Sequence, residues 1–394
     1  MTHSNMPKVL VLDAQMRNSL AIIRALGNKG FYVDAGEETR FATGFFSRYC
    51  AGHIVYPSPT KNPEEFTAHV LDVVKSRDYD VIFPVTDATV LPILKQKDEF
   101  AEHTIVPFAD YPTVVKAVDK SQTLKIAMEN NIPCPKTYFT GCYYDLEKRL
   151  DGIDPEYPVV VKPETGFGAR GVFLCNSADD LLKRCRYVRD RYGQFIVQEY
   201  IPKGDEIGVY TLFDFNSRCC ALSVQKRLRS YPASGGPSTL RETIRDDIAV
   251  KLANKLLTAM SWSGVAMVEF RIDPRDGIPK LMEVNPRFWG SLQLSILAGV
   301  NFPYLLYKLV TDGDLECNLK YDLGVRCRWL LPGDILWFMS TPNKQKNLRE
   351  FVKFNTNYDI LSRDDPGPTL GFTLAVARYI FDREMWDFIL RKPI

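Results

Sequence analysis

The chain has 394 residues, a length that suggests two or three domains. Its 50 basic and 48 acidic residues give a net charge of +2, which excludes a nucleic-acid-binding surface built on bulk charge. No apolar run is long enough to span a bilayer, because Pro332 and Gly333 interrupt the most apolar late stretch, so no membrane partner is expected. The nine cysteines include no C-x-x-C pair, which predicts reduced thiols in a cytoplasmic protein.

Strand and helix patterns alternate through the first third of the chain. Apolar runs such as residues 9–12, 81–83 and 105–106 predict buried strands, and residues 19–26 predict a helix. This alternation predicts a doubly wound parallel sheet that ends near residue 112. The turn at residues 13–18 lacks the glycines that would let a pyrophosphate approach. We therefore expect this sheet to be a scaffold or to face the substrate.

A glycine-rich loop follows a predicted helix at residues 120–131 and a strand at residues 159–162. The loop, residues 166–171, matches G-x-G-x-x-G, but a strand pattern follows it where a dinucleotide site would need a helix. A glycine loop between strands can cover triphosphate oxygens with its backbone N–H groups; the alternative is a hairpin without a ligand. Lys162 lies just before the loop and Lys120 begins the preceding helix. Both are point charges suited to phosphate, although each alone would be an ordinary surface lysine.

The most specific pattern is a predicted β-hairpin late in the chain. Centring its turn on Asp276 places Glu269 opposite Glu283, and the period of two puts Asn285 on the same face. Opposed carboxylates repel, so one is protonated or a cation lies between them. Two glutamates and an amide oxygen suit Mg²⁺; the alternative is two solvated glutamates. The apolar residues expected on the opposite, buried face are Phe270, Ile272, Leu281 and Val284.

Other charged positions are candidates for ligand contacts. Arg287 could touch charge that develops on a phosphoryl group or an acyl oxygen, and the alternative is a surface salt bridge. Arg227 and Arg229 lie in a basic loop and could clamp a substrate carboxylate; the alternative is a solvated loop. The strand that ends at residues 198–202 could read an adenine edge, and Glu206 could accept bonds from ribose hydroxyls.

The order of these motifs resembles the ATP-grasp superfamily over about residues 113–312, closest to its carbamoyl-phosphate-synthase-like and carboxylate–amine ligase branches. The resemblance implies an α/β and α+β chain in which an N-terminal doubly wound parallel sheet domain precedes the ATP-grasp fold. The implied boundaries are 1–112 for the first domain, 113–312 for two α+β subdomains that clasp ATP (flap subdomain about 134–200), and 313–394 for a small α+β extension. The matching motifs are Asp119-Lys120, Val161-Lys162-Pro163, the glycine loop, Glu199-Tyr200-Ile201, Glu206, Glu269 and Glu283-Val284-Asn285-Pro286-Arg287.

The resemblance also implies a role for each matched residue. ATP and Mg²⁺ would be the cofactors, with Mn²⁺ as the alternative metal. The implied contacts are Lys120, Lys162, Gly166, Gly168, Arg170 and Gly171 for the phosphates, Glu199 and the Ile201 backbone for adenine, Glu206 for ribose, Glu269, Glu283 and Asn285 for the metal, Arg287 and Lys162 for catalysis, and Arg227 and Arg229 for the substrate.

The implied activity is Mg·ATP-dependent ligation of a small-molecule carboxylate to an amine, through an acyl phosphate, on amino acids or small peptides. A homodimer is the expected assembly. Two alternatives stay open: a carbamoyl-phosphate-synthase-like enzyme that phosphorylates bicarbonate or carbamate, and a non-catalytic ATP-binding regulator. Ser291 stands where biotin-carboxylase-type members have a glutamate base, so biotin carboxylation is not expected.

Overall fold

A computed structural model of the chain describes residues 6–139, 155–166, 171–232, 235–353 and 356–379, which contain three β-sheets. The first sheet is parallel, with strand order β3-β2-β1-β4, as predicted. The predicted strand at residues 105–106 is only a single bridge from Ile105 to Val81. The elements of this domain are β1 (Lys8–Val11), α1 (Arg17–Gly27), β2 (Tyr32–Glu37), a 3₁₀ turn (Thr43–Phe46), β3 (Gly52–Val55), α2 (Pro63–Arg77), β4 (Val81–Phe83), α3 (Asp87–Lys95), α4 (Lys97–Ala101) and α5 (Tyr111–Val118).

Helix α1 is buried along almost its whole length, which is unusual for a helix on the face of a sheet. Residues 18–26 are all buried, and Ile22 belongs to a core cluster that also contains Phe288 and Phe302 from the later part of the chain. A helix that is buried on opposite sides lies between two packed layers. The parallel-sheet domain therefore shares its core with the large antiparallel sheet.

The second sheet is antiparallel, with strand order β5-β8-β6-β7. Helix α7 covers it with Leu181, Cys185 and Val188, whose spacing of four and three residues places them on one helix face. The Ser177 hydroxyl accepts a hydrogen bond from the Asp180 backbone and begins this helix. The elements are α6 (Lys120–Glu129), β5 (Thr137–Phe139), β6 (Val159–Pro163), β7 (Phe173–Cys175), α7 (Ala178–Tyr192) and β8 (Phe195–Glu199).

The third sheet has seven strands in the order β13-β12-β9-β10-β11-β14-β15, and all neighbours are antiparallel except β14 and β15. One face packs Val268 and Phe270 with Leu256 and Trp262 in a buried core. The parallel sheet followed by antiparallel sheets confirms the predicted fold class. The elements are β9 (Glu206–Phe213), β10 (Cys219–Ser230), β11 (Ser238–Thr243), α8 (Asp247–Ala259), β12 (Gly264–Ile272), β13 (Pro279–Asn285), α9 (Leu292–Leu297) and α10 (Phe302–Asp312).

The β12–β13 hairpin contains a bulge that simple alternation does not predict. The two glutamates pair as expected, but the next pair is Phe270 with Leu281, so Met282 is an extra residue. Because of this bulge, Leu281 and Val284 both lie in the core with Phe270, although they are three positions apart. Strict alternation would place Leu281 on the glutamate face. The bulge therefore keeps the core closed beneath the two carboxylates.

The last described part of the chain continues the large sheet. Its strands β14 and β15 extend the sheet beyond β11. It also contacts the first domain, because Arg24 of α1 donates Nε to Asp365 at 2.8 Å and Nη2 to the Ile360 carbonyl at 2.8 Å. The elements are β14 (Arg326–Arg328), an irregular helical turn (Leu330–Asp334), α11 (Ile335–Ser340), α12 (Lys344–Phe351), β15 (Asn357–Tyr358) and α13 (Gly367–Tyr379).

One expectation about the cysteines is wrong. Cys220 of β10 and Cys317 are joined as a disulfide, although their 97-residue separation gives no pairing signal in the sequence. The described cysteines that remain free thiols are Cys50, Cys134, Cys175, Cys185, Cys219 and Cys327. Among the helices in the described ranges, none has the length and apolar character needed to cross a bilayer.

Candidate functional site

The paired glutamates of the hairpin lie in a network of opposite charges. Arg227 on β10 donates Nη2 to Glu269 at 2.5 Å and Nη1 to Glu206 at 3.0 Å. Arg271, two positions after Glu269 on the same strand face, donates to the other oxygen of Glu206 at 2.7 Å. Three strands of the large sheet thus bring carboxylates and guanidinium groups together on one face. Glu283 adds a second carboxylate directly across from Glu269.

The surroundings of Glu206 on β9 and Glu269 on β12 shift the pKa values of these two carboxyl groups in opposite directions. Burial, reinforced by the neighbouring Glu283, raises the pKa of Glu269 to about 7 despite the pull of Arg227. Burial also acts to raise the pKa of Glu206, but Arg227 and Arg271 outweigh it and hold this pKa below its ordinary value. Glu206 is therefore ionised at neutral pH, whereas Glu269 binds its proton more tightly than an ordinary glutamate.

The donor set fits a hard divalent cation. It offers two carboxylates and the amide group of Asn285, whose nitrogen donates to Glu283 at 3.1 Å. A cation between the carboxylates would take the place of the proton that Glu269 holds near neutral pH. In the described ranges no cluster of three or more His, Cys, Asp or Glu side chains could hold a metal. Two carboxylates are a number that Mg²⁺ commonly takes from a protein, with water and phosphate completing its shell.

Two lysines lie at the base of the glycine loop. Lys162, on β6, is only 6% exposed. Burial, with the positive charge of Lys120 nearby, lowers the pKa of Lys162 to about 8, although Glu283 acts in the opposite sense. Lys120 begins α6 and donates Nζ to the Gly166 carbonyl at 3.0 Å. The charges of Lys120 and Glu283 therefore both act on the buried ammonium group of Lys162.

The ends of the glycine loop have conformations that suit glycine. Gly166 has φ +139° and Gly171 has φ +71°, and a Cβ atom at Gly171 would come within 2.9 Å of Pro163 and Tyr192. Gly168 and Arg170 lie outside the described residues. The close approach of Gly171 to Tyr192 anchors the end of the loop on helix α7.

The predicted adenine contacts lie where the small sheet meets the hairpin turn. Glu199 accepts hydrogen bonds from Arg275 at 2.6 Å and from the backbone of Lys136 at 3.1 Å. The buried residue Ile201 presents its carbonyl to Arg271, which donates at 3.3 Å. Arg271 of β12 and Arg275 of the hairpin turn therefore connect the end of the small sheet to the large sheet.

Arg287 reaches out of the large sheet and pairs with the first domain. Its Nε and Nη2 donate to the two carboxylate oxygens of Asp87 at 2.7 and 2.9 Å. Burial acts to lower the pKa of Arg287, but Asp87, Glu283 and Asp13 outweigh it and raise the pKa above its ordinary value. The guanidinium group therefore stays positively charged, and it lies near enough to Glu283 for the two charges to interact.

The two arginines predicted to bind substrate lie in different surroundings. Arg227 belongs to the glutamate network, with its side chain 22% exposed. Arg229 pairs with the buried Asp334 at 3.0 Å and lies over the ring of Trp337 at 4.2 Å. Arg227 is therefore close to the predicted metal ligands, whereas Arg229 contacts the last part of the chain. Their role in substrate binding stays a prediction.

Sequence reasoning missed three residues that hold this site together. Arg271 shares a strand face with Glu269, so the period of two could have identified it. Asp87 begins a helix directly after a parallel strand, and the carboxyl ends of such strands are where ligands gather in doubly wound sheets. Arg275 lies in the hairpin turn, and its contact with Glu199 has no local signal.

Two family models match the chain over this region. One is described as "ATP-grasp in the biosynthetic pathway with Ter operon" and matches residues 191–331; the other is the "RimK-like ATP-grasp domain" and matches residues 117–260. Among curated relatives, the D-aspartate ligase of Enterococcus faecium is 25% identical over 253 residues, or 60% of this chain and 59% of that protein. The chain therefore spans less than two thirds of the length of this relative.

Two solved structures share the fold at low identity. The L-amino acid ligase of Bacillus licheniformis superposes with a TM-score of 0.61 and 18% identity, covering 79% of this chain and 75% of that one. The biotin carboxylase of Campylobacter jejuni superposes with a TM-score of 0.67 and 15% identity, covering 81% and 74%. The two ATP-grasp family matches together extend from residue 117 to residue 331, and on these matches the chain belongs to the ATP-grasp superfamily.

Proposed function

We propose that this protein is a Mg·ATP-dependent carboxylate–amine ligase that releases ADP and phosphate. The observation that carries the proposal is the burial of Lys162 on β6, near enough to the paired Glu283 and Glu269 for their charges to act on its ammonium group. A buried ammonium that faces two carboxylates is the charge arrangement expected where a metal-bound triphosphate binds. The cost of burying Lys162 is difficult to explain without an anionic ligand.

The nucleotide would bind between the two antiparallel sheets. Lys162 and Lys120 would take the phosphates, and the glycine loop would cover them with backbone N–H groups. Closure of the loop would exclude water, which would otherwise hydrolyse an activated intermediate. The remaining proposed contacts are Gly166, Gly168, Arg170 and Gly171 in the loop, Glu199 and the Ile201 backbone for adenine, and Glu206 for ribose.

Glu269, Glu283 and Asn285 would hold the metal. Bound there, Mg²⁺ would neutralise charge on the phosphate oxygens during transfer. Arg227 and Arg271 would balance the charge of Glu206 when the ligand is absent. Glu269 would lose its proton on metal binding, since burial raises its pKa to about 7 and a cation favours the ionised form.

The reaction would proceed in two steps. In the first, a carboxylate oxygen attacks the γ-phosphorus, the bond to the β–γ bridging oxygen breaks, and ADP leaves. In the second, the amine nitrogen attacks the acyl carbon, phosphate leaves, and the amine loses a proton to phosphate or to a carboxylate. Arg287 would donate hydrogen bonds to the acyl phosphate, where negative charge develops.

Amino acids are the substrate class that the relatives favour. D-aspartate ligase and L-amino acid ligase are both named for amino acids as substrates. These names belong to proteins that this chain matches only in part, so the carboxylate and the amine for this protein are part of the proposal. A homodimer, the expected assembly, is tested by sedimentation of the purified protein.

The experiment is a measurement of ADP release from Mg·ATP in the presence of pooled amino acids, with and without bicarbonate. We expect release that depends on amino acids, and a product that is one water lighter than its two acceptors combined by mass spectrometry. Release that needs bicarbonate would refute the ligase in favour of a carboxyphosphate-forming enzyme. ATP binding without release from any pool would refute catalysis and favour a regulator.

A further inference from the structure

The ion pair between Arg287 and Asp87 joins the large sheet to the first domain through two residues that are 200 positions apart in the chain. Both side chains are partly accessible, with 16% of Arg287 and 21% of Asp87 exposed. A bidentate pair between a guanidinium and a carboxylate fixes the plane of the guanidinium as well as its position. The first domain therefore determines the orientation of a residue that the proposed function places at the reacting group.

Asp87 is itself held by a buried network at the carboxyl edge of the parallel sheet. It is the first residue of α3, directly after the turn that follows β4. The buried carboxylate of Asp13 accepts hydrogen bonds from the Val85 backbone at 3.0 Å, the Thr86 backbone at 2.8 Å and the Thr89 hydroxyl at 2.6 Å. These bonds fix the turn from which α3 begins. The position of Asp87 thus follows from the fold of the first domain.

The hydrogen bonds of Arg287 leave two of its five N–H groups available. A planar guanidinium has five N–H groups on three edges. Asp87 takes the edge formed by Nε and Nη2, and the Phe288 carbonyl accepts from Nη1 at 3.3 Å. Within the described part of the chain, the remaining N–H of Nη1 and of Nη2 have no acceptor. Nη1 and Nη2 are neighbours on the guanidinium, so these two groups are available to the oxygens of a phosphate or carboxylate.

The charges around Arg287 come from both domains. Asp87 and Asp13 belong to the parallel-sheet domain, and Glu283 belongs to the hairpin. Asp87 is the member of this set that contacts the guanidinium directly. Asp13 acts through the turn, and Glu283 belongs to the predicted metal pair. Asp87 is therefore the residue whose removal would free the guanidinium to rotate.

We propose that Asp87 is a positioning residue, which holds Arg287 so that the remaining N–H groups of Nη1 and Nη2 face oxygens of the acyl phosphate. This inference rests on the proposed function for the identity of the bound group. It gives the first domain a role in the reaction, although its turn at residues 13–18 lacks a phosphate-binding pattern. Asp87 would not contact the nucleotide, because the predicted phosphate and adenine contacts lie on the other sheets.

The first test compares Asp87→Asn with Asp110→Asn. Asp110 is a matched control, since it also lies at a helix start in the first domain and pairs with a lysine, Lys97, at 2.9 Å, but is 82% exposed. We expect Asp87→Asn to lower kcat about 100-fold, the scale of loss for a reacting contact displaced by about 1 Å. The Kd for ATP should stay unchanged in both variants, and Asp110→Asn should keep the kcat of the unmodified protein.

A double-mutant cycle separates positioning from an independent role. If Asp87 acts through Arg287, the double variant Asp87→Asn/Arg287→Gln will have the same kcat as Arg287→Gln alone. A full additional loss in the double variant would overturn the proposal. If Asp87→Asn does not fold, Asp87→Glu keeps the charge and tests the same point, because its longer side chain displaces the guanidinium.

A second readout does not depend on turnover. Phenylglyoxal modification of Arg287, followed by peptide mass spectrometry, should rise several-fold in Asp87→Asn and stay unchanged in Asp110→Asn. Unchanged modification of Arg287 in Asp87→Asn would overturn the proposal. If the unmodified protein releases no ADP with any acceptor, the proposed ligase function fails, and the modification result decides by itself whether Asp87 holds Arg287.

Discussion

Lys162 gives the sharpest single test of the nucleotide site, because the structure predicts opposite effects of its removal on stability and on binding. The side chain is 6% exposed, and burial lowers its pKa from 10.5 to about 8. A lowered lysine pKa means that the folded protein pays to keep this ammonium charged. Lys162→Met removes that charge while it keeps an unbranched side chain of similar length.

The size of the stability effect follows from the two pKa values. The change from 10.5 to about 8 corresponds to about 3 kcal/mol, at about 1.4 kcal/mol for a tenfold change in proton affinity. Below pH 8 both the folded and the unfolded chain are protonated, so the cost is fully present. Between about pH 8 and 10.5 only the unfolded chain keeps the proton, so the free energy of unfolding rises with pH. Lys162→Met should therefore be up to about 3 kcal/mol more stable at pH 7 and should lack this rise.

The assay combines urea unfolding with ATP titration. We expect Lys162→Met to unfold at higher urea and to lose ATP affinity at pH 7, whereas Lys183→Met, at an exposed position on α7, should change neither. From pH 7 to 9 the apparent Kd for ATP of the unmodified protein should rise about tenfold as Lys162 loses its proton. Lys162→Arg should not show that rise, because arginine stays charged. Unchanged ATP affinity in Lys162→Met, or a loss of stability, would refute the reasoning.

Three further predictions concern the metal pair, the core beneath it and the last part of the chain. Glu283→Gln should abolish Mg²⁺-dependent ADP release but keep the thermal midpoint, because it removes a proposed ligand and also relieves repulsion with Glu269. Phe270→Ala should lower the free energy of unfolding in urea by about 4 kcal/mol, since its fully buried ring lies in the core beneath the hairpin. Asp365→Asn should cost about 3–5 kcal/mol in the same assay, because it leaves the buried Arg24 without its carboxylate partner.

Each of these has a control and a contrary result. Asp110→Asn should match the unmodified protein in Mg²⁺ dependence, and Leu319→Ala, at a position that is 46% exposed, should leave urea unfolding within about 0.5 kcal/mol. Full turnover in Glu283→Gln would contradict the metal assignment. A loss below about 1 kcal/mol for Phe270→Ala would contradict its place in the core. Normal stability of Asp365→Asn would show that the contact with α1 contributes little.

The sequence by itself determined the features that depend on local periodicity. The turn centred on Asp276 predicts the pairing of Glu269 with Glu283, and the structure confirms it. The helix pattern predicted at residues 120–131 contains α6 (Lys120–Glu129). These features depend on neighbours within a few residues, and the backbone period of each element carries the information. The bulge at Met282 was missed because one inserted residue leaves almost no trace in such a pattern.

Only the tertiary structure decided which distant charges meet. Arg287 and Asp87, Arg227 and Glu269, and Arg275 and Glu199 come from separate elements, and no periodic pattern relates them. The pKa values of Glu269 and Lys162 depend on burial and on the charges that the packed sheets bring near them. Electrostatic interactions act through space and strengthen when water is excluded. Motifs in the sequence therefore predict which residues belong to the candidate site. The packing of the three sheets determines which charged partners those residues meet and how their pKa values shift.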